Sequence, residues 1–252
     1  MWSEFNKTIQ LIRDARRVAV LTGAGISTLS GIPDFRGGAG DSFYDDPVKM
    51  RTFDLDWFDL DPSIFYRNVR PLMDRIFSAR PNVVHEMVVR LERLGKVAGV
   101  VTQNIDHLHQ AAGSRNVLEM HGSCAGAHCR ACGAAIGLED LRRRMTEAEV
   151  PRCACGGAFK PDVTFFREPL PAGAMHAARE LVESVDLLLV LGTSLTVQPV
   201  ARLPGLAMRH LARLVIVNAQ PTPKDGFAAA RHADLAAFAY AVLDAFPEGR
   251  AA

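Results

Sequence analysis

The sequence predicts an α/β protein, in which a parallel sheet carries helices on both faces and a smaller, split module is attached to it. Short apolar runs of strand length alternate with stretches of helical periodicity, as in parallel sheets built from repeated strand–helix units. Polar or glycine-rich residues follow five of these runs directly, at the strand ends where open α/β sheets bind ligands. A segment that holds every cysteine interrupts the alternation and belongs to the smaller module.

Five apolar runs have the length and composition of buried strands. They are residues 18–21, 97–102, 117–120, 187–191 and 214–217. Helical periodicity covers four further segments, which are residues 8–17, 174–183, 200–211 and 233–245. Another helix begins after its N-cap Asn82 and ends at Gly95, since asparagine favours helix starts and glycine favours helix ends. Residues 31–62, rich in glycine, aspartate and proline, are predicted to be loop with short turns.

The composition indicates a globular protein without a strong charge bias. Apolar residues make up 48% of the chain, charged residues make up 23%, and the net charge is +1. This balance argues against a protein that wraps nucleic acid or binds a membrane through a basic patch. The longest apolar runs are far shorter than the ~18 residues of a membrane span. We therefore expect a cytoplasmic monomer without nucleic-acid or membrane partners.

The first strand ends in the turn Gly23-Ala24-Gly25, which opens a helix. Glycines at such a turn allow backbone N–H groups to approach a pyrophosphate. The third glycine of the dinucleotide fingerprint is replaced by Thr28, and no acidic residue closes a second strand about 20 residues later. Taken alone, the turn is therefore equally consistent with a plain tight turn.

The cysteines cluster in one short part of the chain and predict a metal site. Two pairs are separated by 20 residues and flanked by glycines, and they are Cys129, Cys132, Cys153 and Cys155. Four thiolates suit a tetrahedral Zn²⁺ site, and a closed set of four leaves no open position, so the zinc is structural. Cys124 and His128 lie close enough in sequence to compete as ligands. Buried free thiols are the alternative interpretation.

Several strings of residues, in order along the chain, resemble the sirtuin family of NAD-dependent protein deacylases. They are Gly23–Gly37, Pro81–His85, Thr102–His109, His121-Gly122, Gly192–Leu195 and Val217–Thr222. The resemblance implies a protein-lysine deacetylase that transfers the acyl group to ADP-ribose and releases nicotinamide. NAD would be the co-substrate, Zn²⁺ a structural ion, and acylated-lysine proteins the substrates.

The resemblance also implies residue roles at the strand ends. His121 would be the general base on a ribose hydroxyl, and Asn104 would act beside it in catalysis. The implied NAD-binding residues are Gly23, Ala24, Gly25, Ser27, Asp34, Phe35, Arg36, Gln103, Asn104, Ile105, Asp106, Gly192, Thr193, Ser194, Asn218, Gln220 and Ala233. His85, His107 and His109 are expected to be structural.

The implied peptide site is a backbone segment, residues 164–168, that adds the substrate as a strand. The implied substrate contacts are Thr164, Phe166 and Glu168, together with Tyr66 and Arg70 in a helical insertion. Arg167 stands where the family usually has glycine, so we expect a narrower groove or a preference for acidic flanks. Members that prefer succinyl or malonyl groups carry Tyr-x-x-Arg, whereas Arg70 lies one place beyond that offset, so we expect deacetylation to exceed desuccinylation.

The predicted organisation is a Rossmann-like NAD-binding domain with two insertions. The domain comprises residues 1–37, 82–122 and 159–252, the helical insertion 38–81, and the zinc-binding insertion 123–158. The active site is expected in the cleft between them. The alternatives are an NAD-dependent protein ADP-ribosyltransferase, a sirtuin that prefers a non-acetyl group, a non-catalytic NAD or ADP-ribose sensor, and a zinc-ribbon nucleic-acid binder.

Overall fold

The computed structural model describes residues 3–34 and 51–248. Nine strands lie in these ranges. They are β1 (Val18–Thr22), β2 (Val97–Thr102), β3 (Val117–Glu119), β4 (Gly122–Cys129), β5 (Ala135–Gly137), β6 (Phe159–Val163), β7 (Leu187–Leu191), β8 (Arg213–Val217) and β9 (Ala230–His232).

The same ranges hold nine α-helices. They are α1 (Asn6–Asp14), α2 (Leu55–Leu60), α3 (Pro62–Ser78), α4 (Val83–Arg93), α5 (Leu108–Ala112), α6 (Leu138–Glu147), α7 (Ala174–Glu183), α8 (Leu203–Arg209) and α9 (Leu235–Ala245). In the described part of the chain, no helix combines the length and the apolar character needed to cross a bilayer.

Six strands form one sheet in the order β3-β2-β1-β7-β8-β9, and every neighbouring pair is parallel. The strand order reverses between β1 and β7, which is the switch point where open α/β sheets bind ligands. Thr22 at the end of β1 lies opposite both Thr102 of β2 and Leu191 of β7. The residues that follow these three strands therefore emerge side by side at one edge.

Both faces of this sheet are buried, as the predicted fold class requires. Along β1, Val18 and Val20 pack into one apolar cluster, whereas Ala19 and Leu21 pack into another. Helices α1, α4 and α9 cover the first face, and α7 and α8 cover the second. A strand buried on both faces has no polar side to alternate with, so the central strands β1, β2, β7 and β8 are nearly continuous apolar runs.

Three strands form a separate antiparallel sheet in the order β5-β4-β6. Helices α2, α3 and α6 pack around it, with a third apolar cluster that includes Phe53, Phe58, Phe65 and Phe165. Strand β6 pairs with β4, so the chain returns to the large sheet only after Val163. The sequence predicted a domain boundary at residue 159, whereas Phe159–Val163 pairs within the small sheet.

Differences from the predicted elements have local causes. The five predicted strands are present. The edge strand β9 was not predicted, because it is only three residues long and lacks the apolar signal of a buried strand. The predicted helix 200–211 is a 3₁₀ turn, Val200–Arg202, followed by α8. Helix α2 lies inside the predicted loop and begins where the Asp54 side chain accepts backbone hydrogen bonds from Asp56 and Trp57.

Candidate active site

The ends of β1, β2, β3, β7 and β8 open into one cavity of about 750 Å³, which the segment after β6 closes from the other side. This volume lies within the range of small-molecule and cofactor sites. Many of the predicted site residues line it: Gly23, Ala24, Gly25, Asp34, Gln103, Asn104, Ile105, His121, Thr164, Phe166, Glu168, Gly192, Thr193, Ser194, Asn218, Gln220 and Ala233. Phe35 and Arg36 lie outside the described residues.

Two turns meet closely at the switch point. The N–H of Gly25 donates to the carbonyl of Gly192 at 2.8 Å. A Cβ on Gly23 would lie 2.7 Å from Cβ of Thr193, and a Cβ on Gly25 would lie 2.8 Å from the Gly192 oxygen. The Gly25 N–H therefore donates within the fold. The sequence had instead suggested that backbone N–H groups of this turn approach a phosphate. These glycines are required first by the packing of one turn on the other.

Hydrogen bonds to residues at the ends of β1, β2 and β7 hold the loop that follows β2. The Gln103 amide donates to Thr193 Oγ1 at 2.8 Å, and its backbone N–H donates to the Thr22 carbonyl at 3.0 Å. The backbone N–H of Asn104 donates to Thr102 Oγ1 at 3.1 Å, and the Thr22 hydroxyl donates to the same oxygen at 2.8 Å. The loop that carries the predicted NAD-binding residues Gln103 and Asn104 is thus fixed in position.

A short chain of side chains orients Asn104. Its amide donates to Ser27 Oγ at 3.0 Å, and the Ser27 hydroxyl donates to Asp106 Oδ2 at 2.6 Å. Asp106 Oδ1 accepts the backbone N–H of Leu108 at 3.0 Å. Ser27 and Asp106 were expected to contact the cofactor, but neither side chain lines the cavity. In this structure they support Asn104 because their polar atoms are paired with each other and with the loop.

His121 lines the cavity at the junction of the two sheets. Its Nδ1 lies 3.0 Å from the Gln103 carbonyl, which can only accept, so Nδ1 carries the ring proton in the neutral form. Nε2 is then the nitrogen with the lone pair. Burial lowers the pKa of His121, and the hydrogen bond to Gln103 opposes this only in part. The ring is therefore a neutral base with a fixed tautomer.

His85 and His109 lie behind this edge and line no part of the cavity. Both side chains are buried, and their ring centroids are 4.9 Å apart. Burial lowers the pKa of His85 to about 4 and that of His109 to about 3. His107 is instead half exposed and lies 3.4 Å from Glu119. None of the three histidines lines the cavity.

The segment after β6 forms the opposite wall. The Phe166 N–H donates to the Phe53 carbonyl at 2.7 Å, and Glu168 pairs with Lys160 at 2.8 Å. Arg167 adopts a left-handed backbone conformation, φ 72°, and its guanidinium pairs with Asp54 and Asp56. The expected preference for acidic flanks therefore loses its basis, since these two carboxylates already engage the cation.

Tyr66 and Arg70, which were expected to contact the substrate, do not line the cavity. The Tyr66 side chain is fully buried, and its hydroxyl donates to the Phe159 carbonyl at 2.6 Å. Arg70 donates to the carbonyls of Ala148 and Glu149 at 3.1 and 3.2 Å, beyond the C-terminus of α6. Both residues lie on the face of α3 that packs against the small sheet and α6, not on a face toward the site.

Sequence reasoning missed the apolar part of the lining. These residues are Leu29, Phe53, Val163, Leu170, Val197, Pro199 and Leu235. Apolar side chains carry no chemical signal, and only proximity to the motifs could have indicated Val197 and Pro199. They give the cavity the largely apolar wall that is typical of cofactor sites.

The four predicted thiols come together in the small module. The Sγ atoms of Cys129, Cys132, Cys153 and Cys155 all lie within 4.8 Å of one another. Cys129 and Cys155 are 3.5 Å apart, and Cys132 and Cys153 are 3.7 Å apart. Sulfurs at the corners of a tetrahedral zinc site are about 3.8 Å apart for Zn–S bonds of ~2.3 Å. The donor set and its spacing therefore fit a structural Zn²⁺ ion.

Cys124 and His128, the two other residues that could have been zinc ligands, contact other side chains. The Cys124 thiol is buried and lies 3.7 Å from the sulfur of Met73. His128 Nδ1 lies 2.5 Å from Asp162 Oδ1. Neither belongs to the four-sulfur cluster. The question that the sequence left open is thus settled in favour of the four paired cysteines.

Comparisons with known proteins point in one direction. The family model described as "Sir2 family" matches residues 23–199. NAD-dependent protein deacetylase 1 of Pyrobaculum aerophilum is 44% identical over 89% of this chain and 87% of its own length. NAD-dependent protein deacetylase of Thermotoga maritima is 39% identical over 94% of this chain and 96% of its own length.

Solved structures agree with these relatives. A structure titled "Sir2-p53 peptide-NAD+" has a TM-score of 0.86 and 38% identity, covering 95% of this chain and 97% of that chain. A structure titled "Sir2 bound to acetylated peptide" has a TM-score of 0.86 and 36% identity, with the same coverage of 95% and 97%. Both covered fractions include the large sheet and the small module.

We predict that the purified protein binds one zinc ion through the four-cysteine cluster. A chelator should remove the ion and lower the melting temperature, because the small sheet loses its cross-link. Zinc released on thiol modification, measured with a metallochromic dye, checks the stoichiometry. Cys132→Ser should abolish zinc binding, whereas the matched Cys124→Ser should retain it. Equal zinc loss in both variants would contradict the four-cysteine assignment.

We predict that acid destabilises the fold through His85 and His109. Both rings are neutral in the folded state, and each ordinary histidine in the unfolded chain binds a proton below about pH 6.5. The unfolded state therefore gains protons first, so stability is intact above pH 6.5 and falls toward about pH 4. Each ring can add a slope of about 1.4 kcal/mol per pH unit. Urea unfolding across this range measures it, and a flat free energy of unfolding would contradict the prediction.

Proposed function

This chain belongs to the Sir2 family, and from that premise we propose that it removes acyl groups from protein lysines in an NAD-dependent reaction. One observation carries the proposal. His121 faces the cavity with its tautomer fixed. The polar residues that follow the strands of the large sheet lie on one side of the cavity, and residues 164–168 lie on the other. A sensor without catalysis needs no such base. The products would be free lysine, nicotinamide and an O-acyl-ADP-ribose.

The described residues fit NAD as co-substrate. When bound, NAD would supply the ribose whose anomeric carbon loses nicotinamide and whose hydroxyl oxygen accepts the acyl group. Ser194, Asn218 and Gln220 follow β7 and β8 and would hold the adenosine half. Gln103 and Asn104 follow β2 and would hold the nicotinamide half. The observation that supports this fit is the cavity itself, which runs along the strand ends and combines these polar groups with an apolar wall.

His121 would act as the general base. Its Nδ1–H donates to the Gln103 carbonyl, so Nε2 can accept a proton from a hydroxyl in the cavity. Asn104 would be the second catalytic residue, and Ser27 and Asp106 would orient its amide from behind the cavity wall. Such a preoriented amide does not have to reorganise when the reaction begins.

The substrate peptide would bind beside residues 164–168 as an added strand. Main-chain hydrogen bonds then provide affinity with little demand on sequence. Thr164 is tied to the catalytic residue, because its N–H donates to the His121 carbonyl at 2.8 Å. This contact would keep the peptide edge in register with the base.

We infer that acetyl-lysine is a better substrate than succinyl-lysine. A succinyl group carries a carboxylate, which needs a cationic partner in the site. Among the described residues, Arg167 is the arginine or lysine that lines the cavity, and Asp54 and Asp56 engage it. Arg70, the other candidate, is bound to carbonyls near α6.

Cellular location and assembly are further parts of the proposal. We place the protein in the cytoplasm as a monomer, without nucleic-acid or membrane partners. A reducing compartment keeps thiols available for metal, and four of the five cysteines gather in a metal-type cluster. We also propose that the NAD-binding domain resumes after Val163, at the end of the small sheet.

The decisive experiment measures nicotinamide release from NAD with acetyl-lysine, succinyl-lysine or no peptide. We expect release that requires the acyl peptide, yields free lysine and is faster with acetyl-lysine. His121→Ala should lower the rate by at least ~100-fold, which is the usual worth of a positioned base. His176→Ala is the matched control, because this histidine lies on α7 with its side chain 79% exposed.

Other outcomes separate the alternatives. Nicotinamide release without peptide, with label from NAD retained on protein, would favour ADP-ribosyl transfer. NAD binding without nicotinamide release from any acyl peptide would favour a sensor. Faster desuccinylation would overturn the inferred acyl preference alone.

The pH dependence of kcat/KM should report the lowered pKa of His121. The base form increases as pH rises through the pKa, and burial lowers that pKa below the ordinary value of about 6.5. Activity should therefore reach its plateau before neutral pH. Initial rates on an acetyl-lysine peptide between about pH 5 and 9 provide the measurement. A midpoint above 6.5 would exclude this assignment of the base.

A further inference from the structure

We propose that His85 and His109 act as one unit of positioning residues for Asn104, through a buried chain of hydrogen bonds behind the cavity. Neither ring contacts the cavity, so the role is positioning and not catalysis. The inference rests on the proposed function only for its kinetic consequence. The hydrogen bonds on either side of the two rings are present in the structure, and the connection between the rings is the inferred step.

The tautomer of His85 follows from its partner. The backbone N–H of Asn82 donates to His85 Nδ1 at 3.3 Å, as part of the capping box that starts α4. A nitrogen that accepts a hydrogen bond has no proton, so the neutral His85 ring carries its proton on Nε2. His85 therefore presents a donor at Nε2.

The tautomer of His109 follows in the same way. His109 Nε2 lies 3.0 Å from the Thr22 hydroxyl oxygen, and the single proton of that hydroxyl is donated to Thr102 Oγ1 at 2.8 Å. The Thr22 oxygen must then accept from the ring, so Nε2 of His109 is protonated. His109 therefore presents a bare acceptor at Nδ1.

These two atoms are buried and have no hydrogen-bond partner among the described residues. They are His85 Nε2, a donor, and His109 Nδ1, an acceptor. The rings are tilted by 64° with their centroids 4.9 Å apart. An unpaired buried polar atom is costly, and here one donor and one acceptor have complementary needs. No direct hydrogen bond joins these two atoms in the structure, so we infer that one bridging water accepts from His85 Nε2 and donates to His109 Nδ1.

The completed chain ends at the catalytic loop. It runs from the Asn82 backbone through both rings to Thr22 and then to Thr102, whose oxygen also accepts the backbone N–H of Asn104 at 3.1 Å. Both threonines are buried, with relative exposures of 0% and 2%. Hydrogen bonds in such a dry region are strong and directional. The position of the Asn104 backbone thus depends on both rings.

A simple packing role does not explain this arrangement. Apolar side chains would fill the same space without two unsatisfied atoms, and the surrounding core contains many of them. Asp106 is the charged group that faces His85, and its carboxylate already accepts from Ser27 and Leu108. The two rings therefore find their complement in each other.

The first test is spectroscopic and needs no activity. Long-range ¹⁵N correlation of the imidazole nitrogens distinguishes the two tautomers of a neutral ring. We expect both rings to be protonated on Nε2. We also expect His85→Asn to shift the side-chain and backbone amide resonances of Asn104, because asparagine keeps an acceptor for Asn82 but removes the donor toward His109. Nδ1 protonation of either ring, or unchanged Asn104 resonances, would overturn the proposal.

The second test is a double-mutant cycle on turnover. His109→Gln keeps a donor toward Thr22 but removes the acceptor toward His85. Each single variant should lower kcat/KM for NAD about fivefold, the worth of one net hydrogen bond. The double variant should lose no more than the stronger single one, because both cut the same chain. KM for the acyl peptide should stay unchanged, since the chain ends at Asn104.

Matched variants separate positioning from stability. Thr102→Ser keeps the hydroxyl and should retain kcat/KM, whereas the isosteric Thr102→Val should lower it. His176→Asn, on the exposed face of α7, should change neither turnover nor the Asn104 resonances. Variants are compared well below their melting temperatures, so a purely structural role predicts lower melting temperatures with unchanged kcat/KM. That result, or fully additive losses, would refute the positioning role.

The two proposals fail in distinguishable ways. A wild-type protein that releases no nicotinamide from any acyl peptide would refute the proposed function. The Asn104 resonances would then still test the buried chain of hydrogen bonds. An active enzyme in which His85→Asn and His109→Gln leave these resonances and kcat/KM unchanged would refute this inference alone.

Discussion

The close contact of two turns at the switch point sets the shape of the site. β1 and β7 are parallel neighbours whose ends are in register, with Thr22 opposite Leu191. Their turns therefore meet at main-chain distance, and Gly25 donates directly to Gly192. A Cβ on Gly192 would lie 2.5 Å from the backbone nitrogen of Ile26. The same contact that closes the sheet edge also fixes the mouth of the cavity, so fold and site cannot be separated here.

Much of the fold was predictable because burial on both faces leaves a plain signal. The central strands of the large sheet are nearly continuous apolar runs, and each ends where polar residues begin. This apolar signal is absent at the sheet edge. There β9 pairs through only three residues, and none of these residues is fully buried. The signal is also absent in the small module, where β4 is only partly buried and β6 contains Lys160 and Pro161. Those strands are defined by pairing with each other, which a single sequence does not display.

The site was predictable in membership but not in orientation. Motif positions identified most residues around the cavity, because parallel strands deliver their ends to one edge. They could not distinguish a residue that faces the ligand from one that supports it, as Ser27 and Asp106 demonstrate. The same limit applies to Tyr66 and Arg70, which do not line the cavity, since a helix rotates about 100° per residue and only packing decides which face is inward. Charge pairing across the chain, as for Arg167, is likewise invisible in the sequence.

The junction between the two sheets explains why the base and the peptide edge stay aligned. His121 lies in the turn between β3, which belongs to the large sheet, and β4, which belongs to the small sheet. Gly122 has φ 70°, and a Cβ there would lie 1.9 Å from the Asp162 carbonyl. The backbones of β4 and β6 are therefore too close here for any side chain at residue 122. Beside this contact, the Thr164 N–H donates to the His121 carbonyl. Zinc at the far part of the module can stabilise the small sheet without entering the chemistry, because alignment is transmitted through the backbone of this joint.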